Sequence, residues 1–314
     1  MFPFLPAGSV ADPRFRPVRA AFARAKTLAM SAVVLLSSVT ARAQFYQSSY
    51  TGTGAAQTIS MPGVTPSLVI VKHGTGAVAS IVLMNGMSNA QTFGYYLSAT
   101  SDVHTPGSIT TLGPSGFSVG TNNSVNGSGS TYHYLAARNL PGSIITGSYT
   151  GNGIDNRDIT GLGFAPDWVM VIGVNLVDGA IFRTSVMPAD YSTNFGSTNG
   201  ANMIQSFGTG SFQIGTHASV NTTGVQYYYI AAKADAVQFA VGTYTGNSTA
   251  GTALALPFSA DAVSIKVAAG FTSAFRYSTI PAASDVTLAH TNNGPSTSRI
   301  TALNASGAVL GTSA

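Results

Sequence analysis

Self-similarity constrains this chain more than any other feature of it. Tyr50-Thr51-Gly52 returns as Tyr149-Thr150-Gly151 and again as Tyr244-Thr245-Gly246, a spacing of about 95 residues. Phe117-Ser118-Val119-Gly120-Thr121 matches Phe212-Gln213-Ile214-Gly215-Thr216, with a third copy at Ala308-Val309-Leu310-Gly311-Thr312. The first two Gly-Thr pairs are each followed by Val-Asn, ending at Asn126 and Asn221, and then by a Tyr-rich segment starting at Tyr132 and Tyr227. The second and third copies also share Phe182-Arg183 and Phe275-Arg276, each leading to a Pro-Ala pair. Several landmarks in one order at one period imply tandem structural modules, which suits a 314-residue chain because single cores rarely grow past about 250 residues.

Gln44-Phe45 stands as far before its Tyr-Thr-Gly as Gln238-Phe239 does before the third, so the repeat starts can be assigned. The modules are residues 44–138, 143–233 and 238–314. The third stops before its Val-Asn and Tyr-rich segments, about one strand short. Two readings follow: the chain is a piece of a longer reading frame, or a strand from another chain completes the module by edge addition.

Within residues 143–233, short apolar or alternating runs (143–150, 157–159, 168–172, 180–186, 203–207, 212–215 and 226–232) are separated by turn pairs such as Asp178-Gly179 and Asn199-Gly200. Such spacing predicts an all-β protein of tandem antiparallel sandwich or jelly-roll modules. Tyr227 to Ala232 is apolar on both alternating faces and reads as a central strand. The repeat signature residues Tyr50, Tyr149, Tyr244, Gly120, Gly215, Gly311, Asn126, Asn221, Tyr132 and Tyr227 read as structural.

Residues 1–43 read as a signal peptide. Basic residues run up to Lys26, an apolar core follows from Leu28 to Val39, and Ala41-Arg42-Ala43 places small side chains before a cut between Ala43 and Gln44. The apolar run is about a dozen residues, shorter than the roughly 20 a helical span needs. No later segment of the mature chain is long enough to span a bilayer either. The expected location is therefore outside the cytoplasm: extracellular, cell-surface or periplasmic. The leader holds Arg14, Arg16, Arg19, Arg24, Lys26 and Arg42 against Asp12, so it accounts for the net charge of +4, and the remainder is close to neutral. A basic stripe for nucleic acid is missing from the mature part. Cysteine is absent, so each module must be held by its own core rather than by disulfides.

At Tyr149-Thr150-Gly151-Asn152-Gly153 and Gly161-Leu162-Gly163-Phe164-Ala165-Pro166-Asp167-Trp168-Val169, the sequence resembles a module recurring in uncharacterised phage virion proteins and bacterial surface proteins. The first module has Thr65-Pro66-Ser67-Leu68-Val69 at the second motif, and the third has Ser259-Ala260-Asp261-Ala262-Val263. The resemblance implies a β-sandwich of virion or surface type and brings no catalytic residues. The leader departs from a virion pattern and favours a cell-encoded relative.

Candidate chemistry is sparse. The chain has no Glu, and Asp155 and Asp158 flank Asn156-Arg157 in a turn, where pairing with Arg157 explains them better than a carboxylate pair for glycoside hydrolysis or a calcium site. The histidines His73, His104, His133, His217 and His290 do not recur between modules; His133 aligns with Tyr228 and His217 with Asn122. Neither a metal site nor a cofactor is expected, and no catalytic residue is assigned. Trp168, or an exposed Tyr, is a candidate for stacking on a sugar ring, against the alternative that Trp168 and the tyrosines are core residues. The function expected is a secreted or cell-surface structural or adhesive protein, a non-enzyme whose partner is a surface glycan or protein. The alternatives are a lectin-like carbohydrate-binding protein and a phage-type virion appendage.

Overall fold

The computed structural model describes residues 30–36, 44–87, 107–174, 176, 179–197, 199–267 and 271–313, with side chains from Gln44 onward. The proposed cut at Ala43, together with His104 and Asp178, lies outside the described residues. Strands hold 43% of the described residues and helices 3%, which makes this an all-β protein of antiparallel, sandwich-type sheets.

Strand β1 (Met30–Leu36) precedes the first module. That module runs β2 (Phe45–Thr51), β3 (Gln57–Ser60), β4 (Leu68–His73), β5 (Ile81–Met84), β6 (Ile109–Gly113), β7 (Gly116–Val119), the one-turn helix α1 (Asn123–Asn126) and β8 (Thr131–Ala137). The second runs β9 (Ile144–Thr150), β10 (Arg157–Thr160), β11 (Trp168–Gly173), β12 (Ile181–Thr184), β13 (Ser192–Asn194), β14 (Asn199–Gly200), β15 (Ile204–Phe207), β16 (Ser211–Ile214), α2 (Ala218–Asn221) and β17 (Gln226–Ala232). The third has β18 (Thr243–Tyr244), β19 (Thr252–Ala255), β20 (Ala262–Lys266), β21 (Ala274–Tyr277), β22 (Ile300–Asn304) and β23 (Gly307–Leu310).

Each module pairs a larger sheet with a three-stranded one. The larger sheets have the orders β2-β8-β4-β5, β9-β17-β11-β12-β13-β14 and β18-β1-β20-β21, and the smaller ones β3-β7-β6, β10-β16-β15 and β19-β23-β22. In the second module Val169, Val171, Tyr227, Tyr229 and Ala231 of the larger sheet pack on Ile159, Ile204, Phe212 and Ile214 of the smaller, which is the sandwich core. The opposite face of the same strands carries Trp168, Met170, Ile172, Tyr228, Ile230 and Ala232. These belong to a second core, shared with Phe45, Leu68 and Ile70 of the first module and Phe239, Phe275 and Tyr277 of the third. The two apolar faces of β17 thus mark a strand between two cores, and the modules are three lobes around one centre.

Repeat-equivalent residues meet there. Gln44 donates its backbone N–H to Gln238 Oε1 at 2.9 Å, and the Phe45 and Phe239 rings lie 5.2 Å apart. The lobes follow one another in a fixed direction. Ser80 of the first donates its backbone N–H to the His290 carbonyl of the third at 2.9 Å, and the equivalent Ser273 of the third donates to the Phe195 carbonyl of the second at 2.8 Å.

The third module's larger sheet is completed from within the chain. Strand β1 lies between β18 and β20, the place that β8 and β17 hold in their own sheets. Leu36, Leu35 and Val34 face Ala262, Val263 and Ser264, just as Ala232, Ala231 and Ile230 face Trp168, Val169 and Met170. The strand position that the third module's own sequence leaves open, read above as a longer reading frame or a strand from another chain, is held by the apolar segment that also reads as a leader. The same composition suits both roles, because a leader core and a strand covered on both faces are both predominantly apolar.

The signature glycines owe their recurrence to close backbone approach. A Cβ at Gly120 would overlap Gly107, one at Gly215 would overlap the Asn202 carbonyl, and one at Gly311 would overlap Ser298. Gly210, by contrast, has open space around it and no left-handed φ. Gly215→Ala is therefore expected to cost about 1–3 kcal/mol through forced backbone displacement. Gly210→Ala should leave the urea midpoint nearly unchanged, and equal midpoints for the two variants would contradict this account.

Candidate functional site at the module junctions

The Tyr and Asn landmarks build one recurring device. Tyr50 and Tyr132 stack at 5.3 Å, and Tyr149 and Tyr227 at 5.2 Å. The Tyr50 hydroxyl donates to the Val125 carbonyl at 2.6 Å and the Tyr149 hydroxyl to Val220 at 2.7 Å. Tyr132 donates to Asn123 and Tyr227 to Ala218, so each tyrosine pair grips a one-turn helix by its carbonyls. Inside the loop Asn221 donates to the carbonyls of Ile154 and Gly215 and accepts the Asn152 N–H at 3.0 Å. Asn126 does the same with Ala55, Gly120 and Thr53. Buried backbone groups that no strand ladder reaches are satisfied in this way. In the third module the buried Tyr244 hydroxyl has no partner among the described residues.

The helix caps show how unlike residues share one task. Asn122 caps α1 by accepting the Ser124 N–H, and His217 caps α2 by accepting the Ser219 N–H. The arginines after Phe182 and Phe275 act likewise on carbonyls. Arg183 donates to Tyr191 and Met187, and Arg276 to Val286, Pro281 and Ser284.

Trp168 is only 3% exposed. It packs toward Phe239 at 6.3 Å, at the shared centre, and cannot offer a ring face to a sugar. It lines a cavity with Ile70, Phe195, Phe275, Tyr277 and His290, whose volume of about 40 Å³ is far below the roughly 300 Å³ a small-molecule site needs. Asp155 accepts from Asn156 and Gln205. Arg157 does not pair with it as the turn pattern suggests; it donates to the Thr150 carbonyl at 2.6 Å and lies over the Tyr149 ring. Among the described residues no three His or Asp side chains are placed to hold one metal ion.

Three features of the junctions escaped the sequence reading, two of them because His133 and His290 do not recur as residue types. His133 of the first module hydrogen-bonds Thr279 of the third at 2.8 Å, and its aligned counterpart Tyr228 donates to the Gly86 carbonyl of the first at 3.0 Å. His290 stacks on Phe275 at 3.9 Å and shares a hydrogen bond with Ser80 Oγ at 2.9 Å. Lys72, buried in β4, donates to the Val78 carbonyl and to Thr291 of the third module at 3.0 Å. The lobes are thus riveted by titratable groups that have lost water.

A family comparison bears on this architecture. The model of a domain of unknown function, DUF7483, matches residues 23–235, more than half of the chain. The chain belongs to the DUF7483 family. The matched DUF7483 region takes in β1 as well as the first two modules, so it begins upstream of Gln44. No curated protein and no solved structure matches the chain. No helix among the described residues is long and apolar enough to cross a membrane.

Burial pushes His133 down to about 4 and His290 down to about 3, the latter helped by the Lys72 charge. Folded, both rings stay neutral where the unfolded chain protonates near 6.5. The unfolded state then binds more protons as pH falls from about 6.5 to about 4, and stability drops over that window. Burial also pushes Lys72 and Lys266 down to about 8, which makes stability rise between about pH 8 and 10 as the unfolded chain gives up its extra protons. Thermal unfolding followed across pH should show both slopes, and His290→Phe should flatten the acid one. An acid slope unchanged in that variant would remove His290 from the account.

Proposed function

We propose that this chain is a structural and adhesive protein of an exposed surface, a non-enzyme that presents rim loops from a rigid three-lobed body. The observation that carries the reading is where its polar and aromatic side chains are spent. Trp168, the stacked tyrosines, Asn126, Asn221, Arg183, Arg276, Lys72 and His290 all hold carbonyls or fill cores, and so build rigidity. A rigid body with repeated rims suits a spacer or a multivalent recognition unit better than a catalyst, which needs a concave polar site. The partner proposed is a surface glycan or protein met by loops. A lectin reading would now rest on those loops, since Trp168 is interior.

Of the two settings for such a body, cell surface and virion, the virion one gains from β1. A leader removed after Ala43 would take that strand away, whereas a virion protein would keep it. The test is to expose the purified full chain to a polysaccharide panel and to a glycan array. Release of no reducing ends is expected, together with saturable attachment to at least one surface polymer. Turnover of any polysaccharide would overturn the non-enzyme reading. Trp168→Ala is a poor probe of binding, because truncating a buried Trp costs about 3–5 kcal/mol and would act through unfolding.

A further inference from the structure

We propose that the third module contains a strand-acceptor groove between β18 and β20, and that residues 30–36 are its resident strand, retained in the folded protein. The inference goes beyond the functional reading above and does not depend on it. Four observations carry it. First, β1 holds the place of β8 and β17 with their register, so it performs the task that two other strands perform in equivalent sheets. A register shift between Ser31 and Val34 takes up one extra residue, after which Met30 faces Tyr244 as Tyr227 faces Tyr149.

Second, an empty groove would separate β18 from β20 and leave two facing rows of unpaired backbone N–H and C=O groups beside the shared core. Third, Gln44, at the head of β2, is held by Gln238 and by Asp235 Oδ2 at 3.1 Å, just ahead of β18 in the third module. Fourth, the family match begins at residue 23 and so counts the segment as part of the domain.

The occupant is a strand of apolar, uncharged sequence, and the Tyr244 hydroxyl beside it has no partner among the described residues. That hydroxyl lacks the carbonyl its counterparts reach, which makes the groove open to exchange with a closing segment that carries one.

The test introduces a specific protease site between Leu36 and Gln44 of the full chain. After cutting, the N-terminal fragment is expected to co-elute with the body on gel filtration as one monomer. Excess synthetic peptide of residues 218–233, which supplies both a Tyr-rich strand and a helix carbonyl, should displace it. In the uncut chain Val34→Pro puts a proline inside the β1–β20 pairing, which a central strand tolerates poorly, so β18 and β20 amides should exchange about tenfold faster or more while those of β11 and β17 do not change. Val34→Thr should leave exchange near the parent rate. Immediate loss of the cut fragment with an unchanged thermal midpoint would overturn the proposal, as would dimers exchanging the strand or uniform exchange in the proline variant.

Discussion

Strands β11 and β17, at the middle of the second module's larger sheet, are apolar on both faces, and the rest of the structure follows from that constraint. A two-layer sandwich needs one apolar face per sheet, with the other left to water. Here the second face of β11 and β17 carries Trp168, Met170, Ile172, Ile230 and Ala232, none of which can remain wet. Full burial of one such side chain contributes about 1.5–3 kcal/mol. Among the described residues, the apolar surfaces that cover them are the same faces of the neighbouring modules. Three lobes with three such faces can meet around one centre, which is what Phe45, Trp168 and Phe239 do.

A centre built that way leaves the periphery short of regular backbone pairing, and the recurring polar residues meet that need. With no cysteine in the chain, loops must be tied by hydrogen bonds. Asn126 and Asn221 each hold two carbonyls and accept a backbone N–H, an arrangement that no hydrophobic residue could replace without leaving buried groups unpaired. The paired tyrosines add ring packing and a carbonyl contact in one residue type, which explains why Tyr recurs at these positions where Phe does not. Net charge contributes little in either case.

Much of the fold was legible from residue pattern. The repeat period, the seven principal strands of the second module and the double-faced character of Tyr227 to Ala232 all depend on local alternation and on Gly or Asn turns. Strands β13 and β14 were not, because three- and two-residue elements carry no period. Trp168 was ambiguous because one aromatic on a strand reads alike on either face until its neighbours are known. The junctions were hidden for another reason. His133 and Tyr228, or Asn122 and His217, share a geometric task through different chemistry, so alignment by residue type sets them apart. The N-terminal apolar run is the strongest case: it reads as a leader core and also pairs in register with β20, because both roles ask for the same side chains.

Direction around the centre then bears on how such a body holds together. The first lobe donates to the third through Ser80, and the third donates to the second through the equivalent Ser273. The second reaches the first through Tyr228 and Gly86, while His133 of the first reaches Thr279 of the third. Each lobe is therefore gripped by two neighbours, and the contacts follow one sense of rotation. In a linear array every module contributes its own stability plus that of an adjacent interface. In a ring, loss of one joint exposes the apolar second face of two sheets at once, so the lobes stabilise one another cooperatively and an isolated module would be left with half of its larger sheet uncovered. Closure also explains why the chain can dispense with ordered charge networks: a continuous apolar centre, rather than any surface pairing, decides which arrangement of the three lobes persists.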